Sequence, residues 1–549
     1  KACGNDGIPA EILRNDICVD LLHKLVTNAF DIGQVPDEWM KGIINPIHKS
    51  DDRRFPLNYR PISLISVPCK IYTHIINQRL CKWLDSNAII SDNQNGFRKD
   101  RSCMDHIYTL HSIIKNRKIK KKNTFACFVD FKKAFDSVQR DCLWFKLKTI
   151  GLNGKILKAI QSLYESVSCS VKVNNHLTDW FNVRNGLKQG CNLSPTLFSI
   201  YINDLVDEIN LIDSDIMVDD VKVSILLYAD DIILLASSEE KLQEMLNKLH
   251  SWCTKWRLSV NADKTKVLHF RNNPQTRSTF VFRCGESKVD YESSYKYLGF
   301  WFDEHLDLSK SVREITKSAS RALGAVYTNY LNAGGMTYDV YNKLIESIVE
   351  PVLFYGSGIW GQRYFSEVDT VLNKACRYFL GTTKNASNVA TKGDLGWTSC
   401  KIKQKIETVR LWCRIRNMDR DRLCRKVHEW SLTVHGSWEK TMIKFINDLN
   451  ISDIMLCNNP HKIKCISKVK EKLLESENSD WFSKLNKPGT EDNGNKLRTY
   501  KLYKRNLQTE YYVKCNMRKD QRRILAKFRS CNLPLAIETG RYTRPKTPV

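Results

Sequence analysis

Several things missing from this 549-residue sequence narrow its class before any motif is considered. Its 19 cysteines run from Cys3 to Cys531 without a single CxxC pair, which argues against a zinc ribbon or a secreted disulfide framework. The one tempting spacing, Cys457, His461 and Cys465, has no fourth ligand of matching pattern, so a solvated basic helix is expected there instead of zinc. There is no signal peptide and no apolar run long enough to cross a bilayer. A reduced, intracellular, soluble protein without a membrane partner is therefore expected. No internal repeat and no long low-complexity linker occurs, which sets aside solenoids and arrays. Negative charge is also scarce: 60 Asp and Glu face 86 Lys and Arg, a formal net charge of +26. That imbalance concerns partners more than fold, and it favours a polyanion such as nucleic acid.

What is present begins with carboxylates in apolar surroundings. Thr124-Phe-Ala-Cys-Phe-Val129 is a short β-prone run that leads straight into Asp130. Val221–Leu227 and Ile232–Leu235 flank Tyr228-Ala-Asp-Asp231 as two strands flank a tight turn, presenting Asp230 and Asp231 at one edge. An ionised carboxylate without water or a partner is too costly to keep by accident, so the pair must sit at an exposed turn or meet a cation. The neighbouring Asp219-Asp220 reads as an ordinary turn. Ser237 with Glu240 makes a capping box for a helix carrying Leu242, Met245, Leu246, Leu249, Trp252, Cys253 and Trp256 at helical spacing. Upstream, the basic run 115–122 reads either as a solvated loop tip or as a nuclear-import or nucleic-acid patch. From about residue 305 the patterns are helical, as in Leu308, Val312, Ile315 and Ala319.

Three carboxylates at strand ends suit divalent cations, because hard oxygen ligands hold magnesium while substrate phosphates complete its shell. Two such ions can serve in-line phosphoryl transfer. A dyad alone would be weak grounds for that chemistry; the ordered set of motifs is stronger. Lys1–Ala10, Ile44–Lys49, Asn58–Leu64, Gln94–Arg98, Arg101–Asp105, Phe128–Asp136, Gly186–Gly190, Leu193–Phe198, Tyr228–Asp231, Asn261–Thr265 and Tyr297–Phe300 follow one another in the order seen in one family. The chain resembles the reverse transcriptase of non-LTR (LINE-type) retrotransposons. The endonuclease domain that often precedes this core and the Cys/His cluster that often follows Leu533–Arg541 have no counterpart, so target-site cleavage is not expected of this chain.

The resemblance implies an α+β right-hand polymerase: fingers and palm over residues 1–302, a helical thumb over 303–395, and a basic helical extension over 396–549. It implies an RNA-directed DNA polymerase using two Mg2+ ions, with Mn2+ as a substitute. Its partners would be an RNA template, a DNA primer or nicked target DNA, and dNTPs, in a ribonucleoprotein of the nucleus or cytoplasm. The alternative is a non-catalytic or splicing-helper RNA-binding protein that kept the fold. Asp130, Asp230 and Asp231 would be metal ligands, and Lys264 a proton donor to pyrophosphate. Phe131, Phe135 and Gln189 would meet the nucleotide, and Lys49, Arg60 and Arg98 its triphosphate. Tyr297, Leu298 and Gly299 would grip the primer. Phe135 would stand under the sugar, where an aromatic clashes with a 2′-hydroxyl; its plainer role is core packing. For Gln189 the plainer role is loop polarity, and for each cation it is surface charge. Ser194-Pro195 reads as N-cap and N1 of a helix behind the Gln189-Gly190 loop. Near the C-terminus, amphipathic spacing would turn Ile524, Leu525 and Phe528 towards the body. That would leave Lys514, Arg518, Lys519, Arg522, Arg523, Lys527 and Arg529 facing out as a phosphate track.

Overall fold

The computed structural model describes residues 3–49, 52–272, 275–455, 460–486, 497, 500–530 and 533. It divides into two compact units, Lys1–His106 with Arg117–Leu298, and Ile107–Asn116 with Gly299–Val549. The first is built on a mixed sheet of six strands in the order Phe282–Cys284, Ser287–Tyr291, Lys266–Phe270, Thr124–Val129, Asp231–Ala236, Ile225–Tyr228. The strand expected at 124–129 forms with those bounds, and all six of its residues are buried. It lies centrally, antiparallel to both neighbours, so its apolar continuity fits burial on two faces. The run expected at Val221–Leu227 divides instead. Val221–Lys222 closes a small hairpin with Met217–Val218 across Asp219, at φ +49°, and only Ile225–Tyr228 joins the sheet.

Helix Glu239–Trp256 packs on this sheet through the seven residues that set its period, all buried. Its N-cap is Ser238, one residue beyond the expected Ser237, and the Ser238 hydroxyl accepts from the Lys241 amide. Helix Ser194–Asn210 packs beside it. Pro195 occupies its first turn as expected, but Leu193 is the N-cap residue; the Ser194 hydroxyl instead donates to the Lys188 carbonyl at 2.8 Å and so pins the preceding loop. A second sheet pairs Lys41–His48 antiparallel with Tyr59–Leu64 and parallel with Ser168–Val173. The basic run 115–122 is a loop tip only in its last part: Lys120–Lys122 form an exposed turn, but helix Cys103–Ile119 extends into the run and Arg117 is buried, bonded to Thr124 and the Asn123 carbonyl.

The second unit is largely helical, as the spacing after residue 305 predicts; helix Ser309–Asn332 buries Val312, Ile315 and Ala319. The segments expected as separate thumb and extension fall within this one unit. Buried Asp394 joins them, accepting from Tyr500 at 3.0 Å, Tyr512 at 2.6 Å and Arg529 at 3.1 Å. Helix Lys519–Arg529 overturns the expected orientation. Arg522 is 2% exposed, donates to the Tyr330 hydroxyl at 2.8 Å and lies 3.9 Å from the Phe379 ring centroid, while Ile524 is 62% and Phe528 46% exposed. A guanidinium stacks on aromatic faces and brings its own donors, so here arginine supplies the docking face, Ile524 and Phe528 look outward, and Leu525 is half-buried. Lys519 also leans towards the Tyr330 ring, whereas Lys514, Arg518 and Arg523 are exposed. Of the Cys457, His461 and Cys465 spacing, Cys457 lies outside the described residues, as do all but Leu533 of residues 533–541; Cys465 is buried on helix Lys462–Asn486.

Candidate active site

Register brings the three aspartates together. Asp231 pairs with Tyr228 across a two-residue turn, Ala229-Asp230, and Ile232 pairs with Val129. One step further along the antiparallel ladder, Asp231 therefore faces Asp130 on the neighbouring strand. Asp130 is half-buried and anchored: its amide donates to the Thr265 hydroxyl at 3.2 Å and its carboxylate accepts from the Asn261 side chain at 3.1 Å. The Asn261 amide donates to the Asp130 carbonyl at 2.8 Å. Asp230 and Asp231 are open to solvent at the sheet end. The protein around them still thins their hydration, and with repulsion from Asp230 and Asp130 this pushes the Asp231 carboxyl up to about 6. Desolvation followed by Asp130 raises Asp230 as well, and Lys49 and Arg60 oppose the shift. Both cations lie at the loop end of the hairpin formed by Lys41–His48 and Tyr59–Leu64, and both are exposed.

Asp230 and Asp231, whose protonation is favoured by desolvation and by the neighbouring carboxylates, join Asp130 as hard oxygen donors whose repulsion a divalent cation would relieve. Their carboxylates are not drawn in to ligating distances: among the described residues no group of three His, Cys, Asp or Glu side chains is gathered tightly enough to hold a metal ion.

The remaining expected residues fall into three groups. Around the aspartates, Lys264 is exposed in the turn that Asn261 begins, its amide donating to the Asn261 carbonyl. Phe135 is half-buried, one face stacked on Phe198 at 4.7 Å with 17° between planes. Gln189 bonds Asp136 at 3.2 Å through its side chain, and its carbonyl accepts from the Ser63 amide at 2.7 Å. Gly190, at φ +116°, sits where a Cβ would come 2.6 Å from the Ser63 carbonyl oxygen, so only glycine lets this loop lie against the strand.

Two residues have side chains committed within the protein. Phe131, 5% exposed, packs in the core and bridges to Val260, so its side chain is not available to a nucleotide. Arg98 is committed to its own loop: it donates to the Ser91 and Gln94 carbonyls at 2.9 and 3.2 Å and pairs with Asp85 at 3.4 Å. Nη1 makes the carbonyl bonds and Nη2 the Asp85 contact, so the guanidinium is held within its own loop.

Of the residues expected to grip the primer, only Leu298 carries backbone strain. Tyr297 is buried and hydrogen bonds His106 at 3.1 Å, while Leu298 and Gly299 take φ values of +46° and +80°. Two residues of consequence were not singled out by sequence reading. Tyr295 stacks on Phe128 at 4.5 Å, and its phenol feels both Asp130 and Asp231. Gln94 reaches the dyad turn, its side-chain oxygen accepting from the Ala229 amide at 3.0 Å. The signal was available for Gln94, since it opens the motif Gln94–Arg98.

Residues 47–302, which contain all three aspartates, match the family described as reverse transcriptase (RNA-dependent DNA polymerase). This segment is a reverse transcriptase domain of the non-LTR retrotransposon type. The chain is 29% identical over 365 residues to the probable RNA-directed DNA polymerase from transposon BS of Drosophila melanogaster, covering 63% of this chain and 40% of that protein. It is 27% identical over 375 residues to the RNA-directed DNA polymerase from mobile element jockey of the same species, covering 66% of this chain and 40% of that one. The chain thus spans about 40% of the length of these relatives. Among solved structures, telomerase from Candida tropicalis in complex with a TWJ fragment of telomeric RNA matches with a TM-score of 0.39 and 15% identity, covering 83% of this chain and 68% of that one. No helix among the described residues of the reverse transcriptase domain or of the second unit is long and apolar enough to cross a membrane.

Proposed function

We propose that this chain is an RNA-directed DNA polymerase that adds dNTPs to a primer 3′-hydroxyl on an RNA template, in the copying of a non-LTR retrotransposon. The reading rests on one observation: the antiparallel register of Ile232 with Val129 brings Asp130, just beyond its strand, opposite Asp231, with Asp230 at the turn beside them. In the reaction the primer 3′-oxygen forms a bond to the α-phosphorus, the bond to pyrophosphate breaks, and the hydroxyl proton is lost. When bound by Asp130, Asp230 and Asp231, two Mg2+ ions, or Mn2+ in their place, would lower the cost of the attacking alkoxide and of the leaving pyrophosphate charge.

The protein's own groups supply positioning and charge. Lys49 and Arg60, whose fields already reach Asp230, suit the triphosphate. Lys264 stands in the turn next to Asp130, where it could pass a proton to pyrophosphate. Phe135, braced by Phe198, presents a rigid ring to the deoxyribose, and Gln189 bonds the adjacent Asp136. Tyr297, Leu298 and Gly299 remain the proposed primer grip, and Lys514, Arg518 and Arg523 the proposed contacts to template RNA, with nicked target DNA as an alternative primer source. The net charge of +26 accords with a ribonucleoprotein in the nucleus or cytoplasm.

Primer extension on an RNA template with dNTPs and magnesium tests the proposal. The unsubstituted chain should extend, and Asp230→Asn should lose activity by about 100-fold or more while binding primer–template as before. Extension by Asp230→Asn at the unsubstituted rate would exclude the metal-ligand role.

A further inference from the structure

The Tyr228–Asp231 turn does not hold its shape by itself. Ala229 has φ +54°, a left-handed conformation that an L-residue with a Cβ adopts only at a cost of about 1–2 kcal/mol. Its amide is turned inward and donates to the Gln94 side-chain oxygen at 3.0 Å. That same oxygen accepts from the Gly96 amide at 2.7 Å. The Gln94 side chain is fully buried.

The backbone on either side completes a clamp. The Leu227 amide donates to the Asn93 carbonyl and the Asn95 amide to the Leu227 carbonyl, both at 2.9 Å. Gly96 then lies so close that a Cβ there would come 2.3 Å from the Ala229 nitrogen. Only a residue without a side chain lets the segment reach the turn.

We infer that Gln94 is the positioning residue that sets the Asp230 turn and thereby places the Asp230 carboxylate for cation binding. The inference deepens the polymerase reading and rests on it. One detail separates this role from packing. The Gln94 Nε2 group is buried and has no hydrogen-bond partner among the described residues, so half of the carboxamide is spent at a penalty. Leucine or methionine would avoid that penalty in a merely packed position. Glutamate would provide the oxygen but bring a further charge beside three aspartates. A neutral group with an acceptor oxygen is what the site requires, and glutamine is the residue that meets it at this reach.

Two variants of the full chain test the role. Gln94→Met keeps approximate volume and removes the acceptor; Gln94→Glu keeps the acceptor. For Gln94→Met, hydrogen exchange of the peptide spanning 226–234 should quicken, and Mn2+ titration without substrate should show binding weakened by about fivefold or more. The extension rate constant should fall by about tenfold, with the dNTP KM and primer–template affinity changed little. Gln94→Glu should retain slow exchange in that peptide. Unchanged Mn2+ affinity and exchange in Gln94→Met would overturn the inference, and so would equal loss of protection in both variants, since that is the signature of packing alone. If the unsubstituted chain extends no primer, the polymerase reading falls, while Mn2+ binding and exchange still decide the role of Gln94.

Discussion

At the scale of single residues, side chains of similar type in the sequence divide sharply in the fold. Phe131 and Phe135 stand four residues apart, yet one is sealed in the core and the other keeps an open edge while its ring rests on Phe198. A ring braced on one face cannot swing aside for a 2′-hydroxyl, so Phe135→Val should admit ribonucleotides. The expected outcome is at least about a tenfold rise in the ratio of ribonucleotide to deoxyribonucleotide incorporation, equivalent to ~1.4 kcal/mol of lost discrimination, measured by single-nucleotide extension. Unchanged selectivity in a folded, active variant would return Phe135 to a packing role. Arg60 and Arg98 divide in the same way: Arg60 is exposed and its field reaches Asp230, whereas Arg98 is consumed by the carbonyls of its own loop.

At the scale of elements, helix Lys519–Arg529 shows how period and chemistry can conflict. Arg522 and Ala526, four residues apart, form the inward face, and Ile524 with Phe528 forms an outward one. Arg522→Ala removes a hydrogen bond to Tyr330, a stacked cation over Phe379 and buried volume; it should destabilise the chain by ~2–3 kcal/mol. Ile524→Ser, on the exposed side, should stay within about 0.5 kcal/mol. Denaturant melts of both variants decide the matter: a larger effect at Ile524 than at Arg522 would show that the aliphatic face is the docked one.

At the scale of the whole molecule, stability carries a pH dependence unrelated to the aspartates. In the second unit Glu439 and His428 are fully buried 3.6 Å apart, and neither has a hydrogen-bond partner among the described residues. Burial pushes the Glu439 carboxyl up to about 8, and burial with nearby Arg425 and Arg416 pulls the His428 imidazole down to about 3. Both groups are therefore neutral at neutral pH. Between the ordinary glutamate range and pH 8 the folded chain keeps a proton that the unfolded chain has released, so stability falls as pH rises, by at most about 1.4 kcal/mol per unit. Below the ordinary histidine range the unfolded chain binds a proton that folded His428 refuses, so stability also falls as pH drops. Glu439→Gln should remove the alkaline fall: its melting temperature should exceed that of the unsubstituted chain at pH 8.5, with the gain shrinking towards pH 5. A constant difference across that range would mean Glu439 is not the group responsible.

The sequence by itself determined the local pieces: strand 124–129, the helix that buries Leu242 to Trp256, the aspartates at strand ends and the order of motifs. Each depends on residues close together in the chain, where apolar period and turn chemistry act directly. Tertiary structure decided what depends on distant partners. Strand register set Asp231 opposite Asp130; Gln94, more than a hundred residues upstream, fixed the turn at Ala229; and Asp394 gathered Tyr500, Tyr512 and Arg529 around one buried carboxylate. It also reversed the C-terminal helix, because whether an arginine faces solvent or an aromatic wall depends on the wall, which no local period encodes.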